Sequence, residues 1–244
     1  MIVDYALYRE GVRYNEPSNL PELITKAKTE GGFVWVGLAE PTQEEFEKIV
    51  GDFRFHTLSI EDAVNAKQRP KLEDYPGLQF CVLKTVFYDE ARSEVSTGEI
   101  FCFVGEHYIV VVRHGDGAPL ANTRHQLESN PEHLAKGPYA VLHAIIDHCI
   151  DCYIDVAAEL EQDVMQVEQR VFNTDLATQS GDIYFLKREV IEFRHAIDPL
   201  LSPLQKLASE GAIPVGNTPD QFTDQVRKEL AHWTKIAADA KIRE

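Results

Sequence analysis

Apolar positions in this chain change rhythm near residue 137. Before it, short runs mix two periods. Residues 3–9 alternate weakly and predict a strand, and Phe33-Val34-Trp35-Val36-Gly37-Leu38 is a β-branched and aromatic run that predicts a buried one. Residues 80–87, 99–104 and 107–112 predict three more strands, and Gly105-Glu106 suits a tight hairpin between the last two. Residues 20–28 have helical spacing and meet a stop at Gly31-Gly32. Thr42, followed three residues later by Glu45, forms a capping box that opens a helix over residues 44–50, with Pro41 just before it. Short strands interleaved with short helices predict an α/β subdomain over residues 1–136, with a mixed sheet and helices on its faces.

After residue 137 the period is helical throughout. Residues 139–172 carry Val141, Ile145, Cys149, Cys152, Val156, Leu160, Val164, Val167 and Val171 on one stripe, with neither Pro nor Gly to interrupt it. A helix of that length runs about 50 Å at 1.5 Å per residue. Asn173-Thr174-Asp175 breaks the pattern. A second helix is expected over residues 181–207, with Ile183, Leu186, Val190, Phe193, Ile197, Leu200 and Leu204 inward and its end kinked by Pro199 and Pro203. Two long helices joined by a short loop predict an antiparallel hairpin over residues 137–209. Residues 210–217 read as a linker. Thr218-Pro219 then caps a third helix that is still running at Glu244, so residues 210–244 are expected to be a linker and the truncated start of a longer stalk helix.

Composition narrows the function classes. The 244 residues are 44% hydrophobic, enough to bury a sizeable core. No apolar run reaches the ~18 residues that span a bilayer, and residues 1–5 lack the basic and apolar regions of a signal peptide. The net charge of -16, from 24 Lys and Arg against 40 Asp and Glu, argues against nucleic acid and against an anionic membrane surface. It leaves plain acidic solubility or attraction of cations. Cys81 and Cys102 fall in strand-like runs and are expected in the core. Cys149 and Cys152 form a Cys-x-x-Cys near His143 and His148, which invites a zinc site. A closed tetrahedral site needs four convergent ligands, so two buried helix cysteines are the favoured reading.

Two acidic features bear on cations. Glu61 and Asp62 stand side by side in a short predicted helix that opens the stretch over residues 56–75, ahead of an extended Gln68-Arg69-Pro70-Lys71 run. Asp147, Asp151 and Asp155 recur every fourth residue and share one helix face, where they repel unless solvated or neutralised. Such features are more often solvated surface or helix caps than ligands, and Asp151 and Asp155 are expected to be solvated. His114-Gly115-Asp116-Gly117 lacks the lysine of a phosphate loop. His195 and Asp198 have no nucleophile at a suitable spacing, so no enzyme activity is expected.

The stretch His56 to Tyr75 closely resembles the signature of the cytoplasmic domain of CorA-type divalent-cation transporters. Further blocks resemble the same family: Trp35-Val36-Gly37-Leu38, residues 137–172, Tyr184-Phe185-Leu186-Lys187-Arg188-Glu189-Val190, and Asp198-Pro199-Leu200. Together they cover most of residues 33–205. The resemblance implies an α/β/α sandwich, a long antiparallel helical hairpin and the start of a stalk helix that enters the membrane. It implies a homopentamer at the cytoplasmic face of the cell membrane, and two transmembrane helices with a Gly-Met-Asn motif that this sequence does not contain. It also implies a regulatory Mg²⁺ site at the subunit interface, with Glu61 and Asp62 as the acidic pair and Asp147 as a second acidic position. Asp224 or Glu229 would be the cross-subunit partner, although Lys228 stands near the matching place. Hard cations prefer such oxygen donors, and Co²⁺, Ca²⁺ or Zn²⁺ are the other candidate ions. Two alternatives stay open. One is the soluble domain of a zinc-transporting relative of the same fold. The other is a cytosolic scaffold whose hairpin binds partner proteins.

Overall fold

The computed structural model describes residues 2–14, 19–51, 53, 55, 57–115, 119–173 and 176–209. The chain divides into two compact units, Met1–Pro203 and Leu204–Glu244. The first holds β1 (Ile2–Arg9), β2 (Val12–Tyr14), α1 (Leu20–Glu30), β3 (Phe33–Ala39), α2 (Gln43–Val50), α3 (Thr57–Asn65), β4 (Lys71–Tyr75), β5 (Leu78–Asp89), β6 (Glu94–Gly105) and β7 (Tyr108–His114). It continues with α4 (Leu120–Glu128), α5 (Pro131–Leu134), α6 (Pro138–Asn173), α7 (Leu176–Ile197) and a 3₁₀ turn (Asp198–Leu200), after which α8 (Leu201–Ser209) begins. A single seven-stranded sheet runs β2-β1-β3-β7-β6-β5-β4. Among the described strands only β3 and β7 pair in parallel; the other neighbours are antiparallel.

Local chemistry explains the helix ends. The Asn19 side chain accepts from Glu22 N and opens α1, and Gly31 at φ 85 ends it, in a region of φ that side chains with a Cβ rarely adopt. The capping box of α2 is present as predicted: Thr42 Oγ1 accepts from Glu45 N (3.2 Å), and Glu45 Oε2 accepts from Thr42 N (3.1 Å).

Strand alternation divides the core into two layers. Phe80, Val82, Phe101, Phe103, Val110 and Val112 point to one face and pack with Leu23 and Ile24 of α1, Phe46 of α2 and Ala63 of α3. This layer is rich in aromatic contacts, such as Phe55 stacked on Phe103 at 4.4 Å. Cys81 and Cys102 point to the other face and lie near Cys149 of α6. Val141, Ile145, Cys149, Tyr153, Val156 and Leu160 give α6 its buried stripe. α6 runs along β5: the Tyr153 hydroxyl donates to the Lys84 carbonyl, and the Tyr88 hydroxyl donates to Asp163. α7 returns antiparallel to α6, with Arg170 pairing Asp182 near the turn (3.1 Å). Where β7 has ended, β6 has a free edge, and there the buried Glu189 of α7 accepts from Val95 N (2.7 Å). The result is the expected α/β/α sandwich with a long antiparallel helix pair.

The pattern reading differs from the structure in several places. It missed β2 and β4, which are short edge strands, and the short helices α4 and α5. It started the second long helix at residue 181 and ran it to 207. The helix is α7, and it stops at Ile197 because Pro199 has no N–H to continue the ladder, so a 3₁₀ turn follows. Ile183 was expected inward but is exposed, and Leu186 is only partly buried. The break at 174–175 and the expected linker and third helix over residues 210–244 lie outside the described residues.

Candidate metal centre

α3 presents Glu61 and Asp62 because Ala63 and the buried Ser59 take its inward face. Glu61 is exposed, and no described residue pairs with it. Asp62 is half-buried and already has a cation: Lys71 Nζ donates to its Oδ2 (2.8 Å). The same ammonium donates to Glu73 Oε1 (3.0 Å), and the Tyr75 hydroxyl donates to Glu73 Oε2 (2.9 Å). Burial works to lower the Lys71 pKa, but its hydrogen bonds to Asp62 and Glu73 outweigh it and hold the pKa raised. Burial and the Glu73 hydrogen bond both raise Tyr75. Lys71 and Glu73 sit on the same side of β4, opposite Val82 and Phe80 of β5, so the strand delivers both to the α3 face. His114 ties α3 to β7, contacting Glu40 (2.9 Å) and the Ala63 carbonyl (2.7 Å).

Asp147 is elsewhere. It is exposed on α6, on the opposite face of the sheet from α3. Asp151 and Asp155, one and two turns on, are exposed as expected. Burial and then the neighbouring Asp147 raise the Asp151 pKa, with a further push from Asp155. The sequence-predicted carboxylates therefore form two groups in one chain. Among the described residues, no three His, Cys, Asp or Glu side chains converge to hold an ion. Asp224 and Glu229 lie outside the described residues, as does His56.

The cysteine motif resolves toward the core. Cys149 is buried and Cys152 half-buried, and all four cysteines are free thiols. Burial raises Cys149 and Cys152, and pushes Cys81 up to about 12. Protonated thiols in apolar surroundings are poor metal ligands.

Sequence reasoning missed Glu73 and the counter-ion role of Lys71. The missing signal was the alternation of Lys71, Leu72 and Glu73, in which only Leu72 is buried and the two charged residues share a side. Among the described residues, no helix is long and apolar enough to cross a membrane.

Comparison with known proteins points one way. The chain is 27% identical over 175 residues to the "Putative metal ion transporter YfjQ" of Bacillus subtilis, covering 72% of this chain and 54% of that one. It is 24% identical over 176 residues to the "Cobalt/magnesium transport protein CorA" of Thermotoga maritima, covering 71% and 50%. The chain thus spans about half the length of these curated relatives. In fold it is similar to the soluble domain of CorA from Methanocaldococcus jannaschii, with a TM-score of 0.65 at 16% identity over 85% of this chain and 80% of that one. It is also similar to the ZntB cytoplasmic domain from Vibrio parahaemolyticus, with a TM-score of 0.58 at 14% identity over 78% and 75%. The model of the family described as CorA-like Mg²⁺ transporter protein matches residues 30–242, from the strand that opens the parallel pair to nearly the last residue, and on that extent the chain belongs to this family.

Proposed function

We propose that this chain is the cytoplasmic regulatory domain of a CorA-type divalent-cation transporter, and that Mg²⁺ held between copies of the domain gates the pore. One observation carries the reading. Glu61 and Asp62 lie on one face of the sheet and Asp147 on the other, so a site that uses both groups has to form between neighbouring copies. The donor set suits the ion. Mg²⁺ is hard, keeps most of its waters and needs only one or two carboxylates. The exposed carboxylates of Glu61 and Asp147, with the half-buried Asp62, are donors of that kind, whereas buried protonated thiols do not favour a zinc site.

In this reading Glu61, Asp62 and Asp147 are the carboxylates that hold the ion, and Asp224 or Glu229 of the next copy completes the set. An occupied site bridges subunits and favours the closed assembly of a homopentamer. When Mg²⁺ falls, like charges face each other across the interface, the contacts loosen and the pore opens. Energetically this is a ligand with higher affinity for one of two assemblies.

The test uses the full-length protein in detergent. Protease sensitivity near residues 211–217 is followed against Mg²⁺, with a monovalent salt of matched ionic strength as control. The expected result is protection that saturates with Mg²⁺ and weakens when Glu61→Gln and Asp62→Asn are combined. Protection indifferent to Mg²⁺, or unchanged in the double variant, overturns the assignment of these carboxylates.

A further inference from the structure

A cavity of about 420 Å³ opens where three elements meet. Lys67, Gln68 and Arg69 of the segment between α3 and β4 form one wall, and Lys84 and Thr97 of the β5–β6 ladder form the floor. Glu192 and His195 of α7, with Asp198 and Pro199 of the turn after it, form the other wall. We propose that this cavity binds a small phosphate monoester carrying hydroxyl or amino donors, a molecule the size of a mononucleotide.

The charge arrangement selects that class. Lys84 is already bonded to Glu99, and Asp198 pairs with Arg194 (3.2 Å). Lys67 and Arg69 are different: no described carboxylate pairs with either. Two cations with no carboxylate partner among the described residues line one concavity in a chain of net charge -16. A phosphate monoester carries about −1.5 to −2 charges at neutral pH, which matches one lysine and one arginine. Arg69 supplies the planar fork that fits two phosphate oxygens, and Lys67 supplies a point charge. Across the cavity, Glu192 has no described cation and is an acceptor for hydroxyl or amino groups. Gln68 and Thr97 add neutral polar contacts. The volume exceeds a lone phosphate ion and lies in the range of small-ligand sites, ~300–1,000 Å³.

The backbone supports a built wall. Ala66 and Lys67 both have left-handed φ, 54° and 62°, although neither is glycine. Ala66 ends α3 by donating its N–H to the Asp62 carbonyl (3.1 Å), and such residues persist only where their surroundings hold them. Pro70, which is buried, then fixes the exit of the segment into β4. The segment between α3 and β4 brings Lys67 and Arg69 to the same cavity as the end of α7.

The site is independent of the Mg²⁺ reading, so it is tested on this chain with chelator present and ionic strength constant. Calorimetric titrations with AMP, adenosine and inorganic phosphate are compared. Saturable AMP binding, weaker phosphate binding and no adenosine binding are expected. Arg69→Ala lowers AMP affinity about tenfold, the loss of one charge-assisted contact. Glu192→Gln weakens AMP and leaves phosphate unchanged. Melting curves establish that each variant is folded, and Lys48→Ala on the exposed face of α2 serves as a charge control. The proposal is overturned by absence of saturable AMP binding at millimolar concentration, by an Arg69→Ala variant that binds as wild type, or by an equal loss in the Lys48→Ala control.

Discussion

The acidic group on α3 and the acidic row on α6 carry the same chemistry in opposite electrostatic states. Asp62 and Glu73 share the ammonium of Lys71, so the α3–β4 group has its cation built in. Asp147, Asp151 and Asp155 face solvent along one stripe, and Asp151 is held above the usual carboxylate range by burial and by its acidic neighbours. An incoming ion gains differently at each. At α6 it relieves repulsion that already exists. At α3 it must displace or share Lys71, so the net gain is the difference between two cations. Counting carboxylates in a sequence therefore says little about cation affinity until the internal counter-ions are known.

α6 can hold its acidic row in place only if its buried stripe anchors it, and the largest expected effect is there. Leu160 on the inward stripe of α6 is fully buried, so Leu160→Ala should cost ~2–5 kcal/mol in denaturant unfolding. Leu186 on α7 is only partly buried, and Leu186→Ala should cost less than half as much. Equal costs, or near-zero cost at Leu160, would mean that α6 is not anchored through this stripe.

A smaller effect probes the built-in cation. Lys71→Met leaves Asp62 and Glu73 facing each other without an ammonium and should destabilise by about 1 kcal/mol, the scale of a half-exposed ion pair. In the same variant the Mg²⁺-specific rise in melting temperature should exceed that of wild type, because the internal competitor is gone. An unchanged Mg²⁺ response would show that Lys71 does not compete with ions at Asp62.

The smallest effect belongs to the α6 row. Asp151 has a raised pKa in the folded state, so between its unfolded and folded values the native protein binds more protons than the unfolded chain. Stability thus falls as pH rises from below about 3.8 through the raised folded value, and the penalty is fully present at neutral pH. Asp151→Asn should remove that slope and stabilise the protein at pH 7 by no more than ~0.5 kcal/mol, as expected for an exposed position. Parallel pH–stability curves for wild type and variant would sink this account of the row.

Much of the fold was legible because its signals are local. The Thr42–Glu45 capping box, the run Phe33 to Leu38 and the long stripe from Val141 to Val167 each depend on spacing within a few residues, and each is present in the structure. β2 and β4 were not legible, since edge strands of three and five residues give too few alternations to register. The exposure of Ile183 was also hidden: helical spacing shows that a stripe exists, but not which end of it finds a partner.

For the candidate site, the sequence by itself determined the residue types and their local geometry: a Glu-Asp pair on a short helix, and three aspartates on one face of a long one. Only the tertiary structure decided that these groups lie on opposite faces of one sheet, that Lys71 reaches back across the turn to neutralise Asp62, and that the Lys67–Arg69 segment faces the end of α7. The physical reason is range. Helix caps and periodic stripes are set by backbone hydrogen bonds a few residues apart, whereas charge pairing is set by which strands and helices pack together, and that depends on the burial of the whole core.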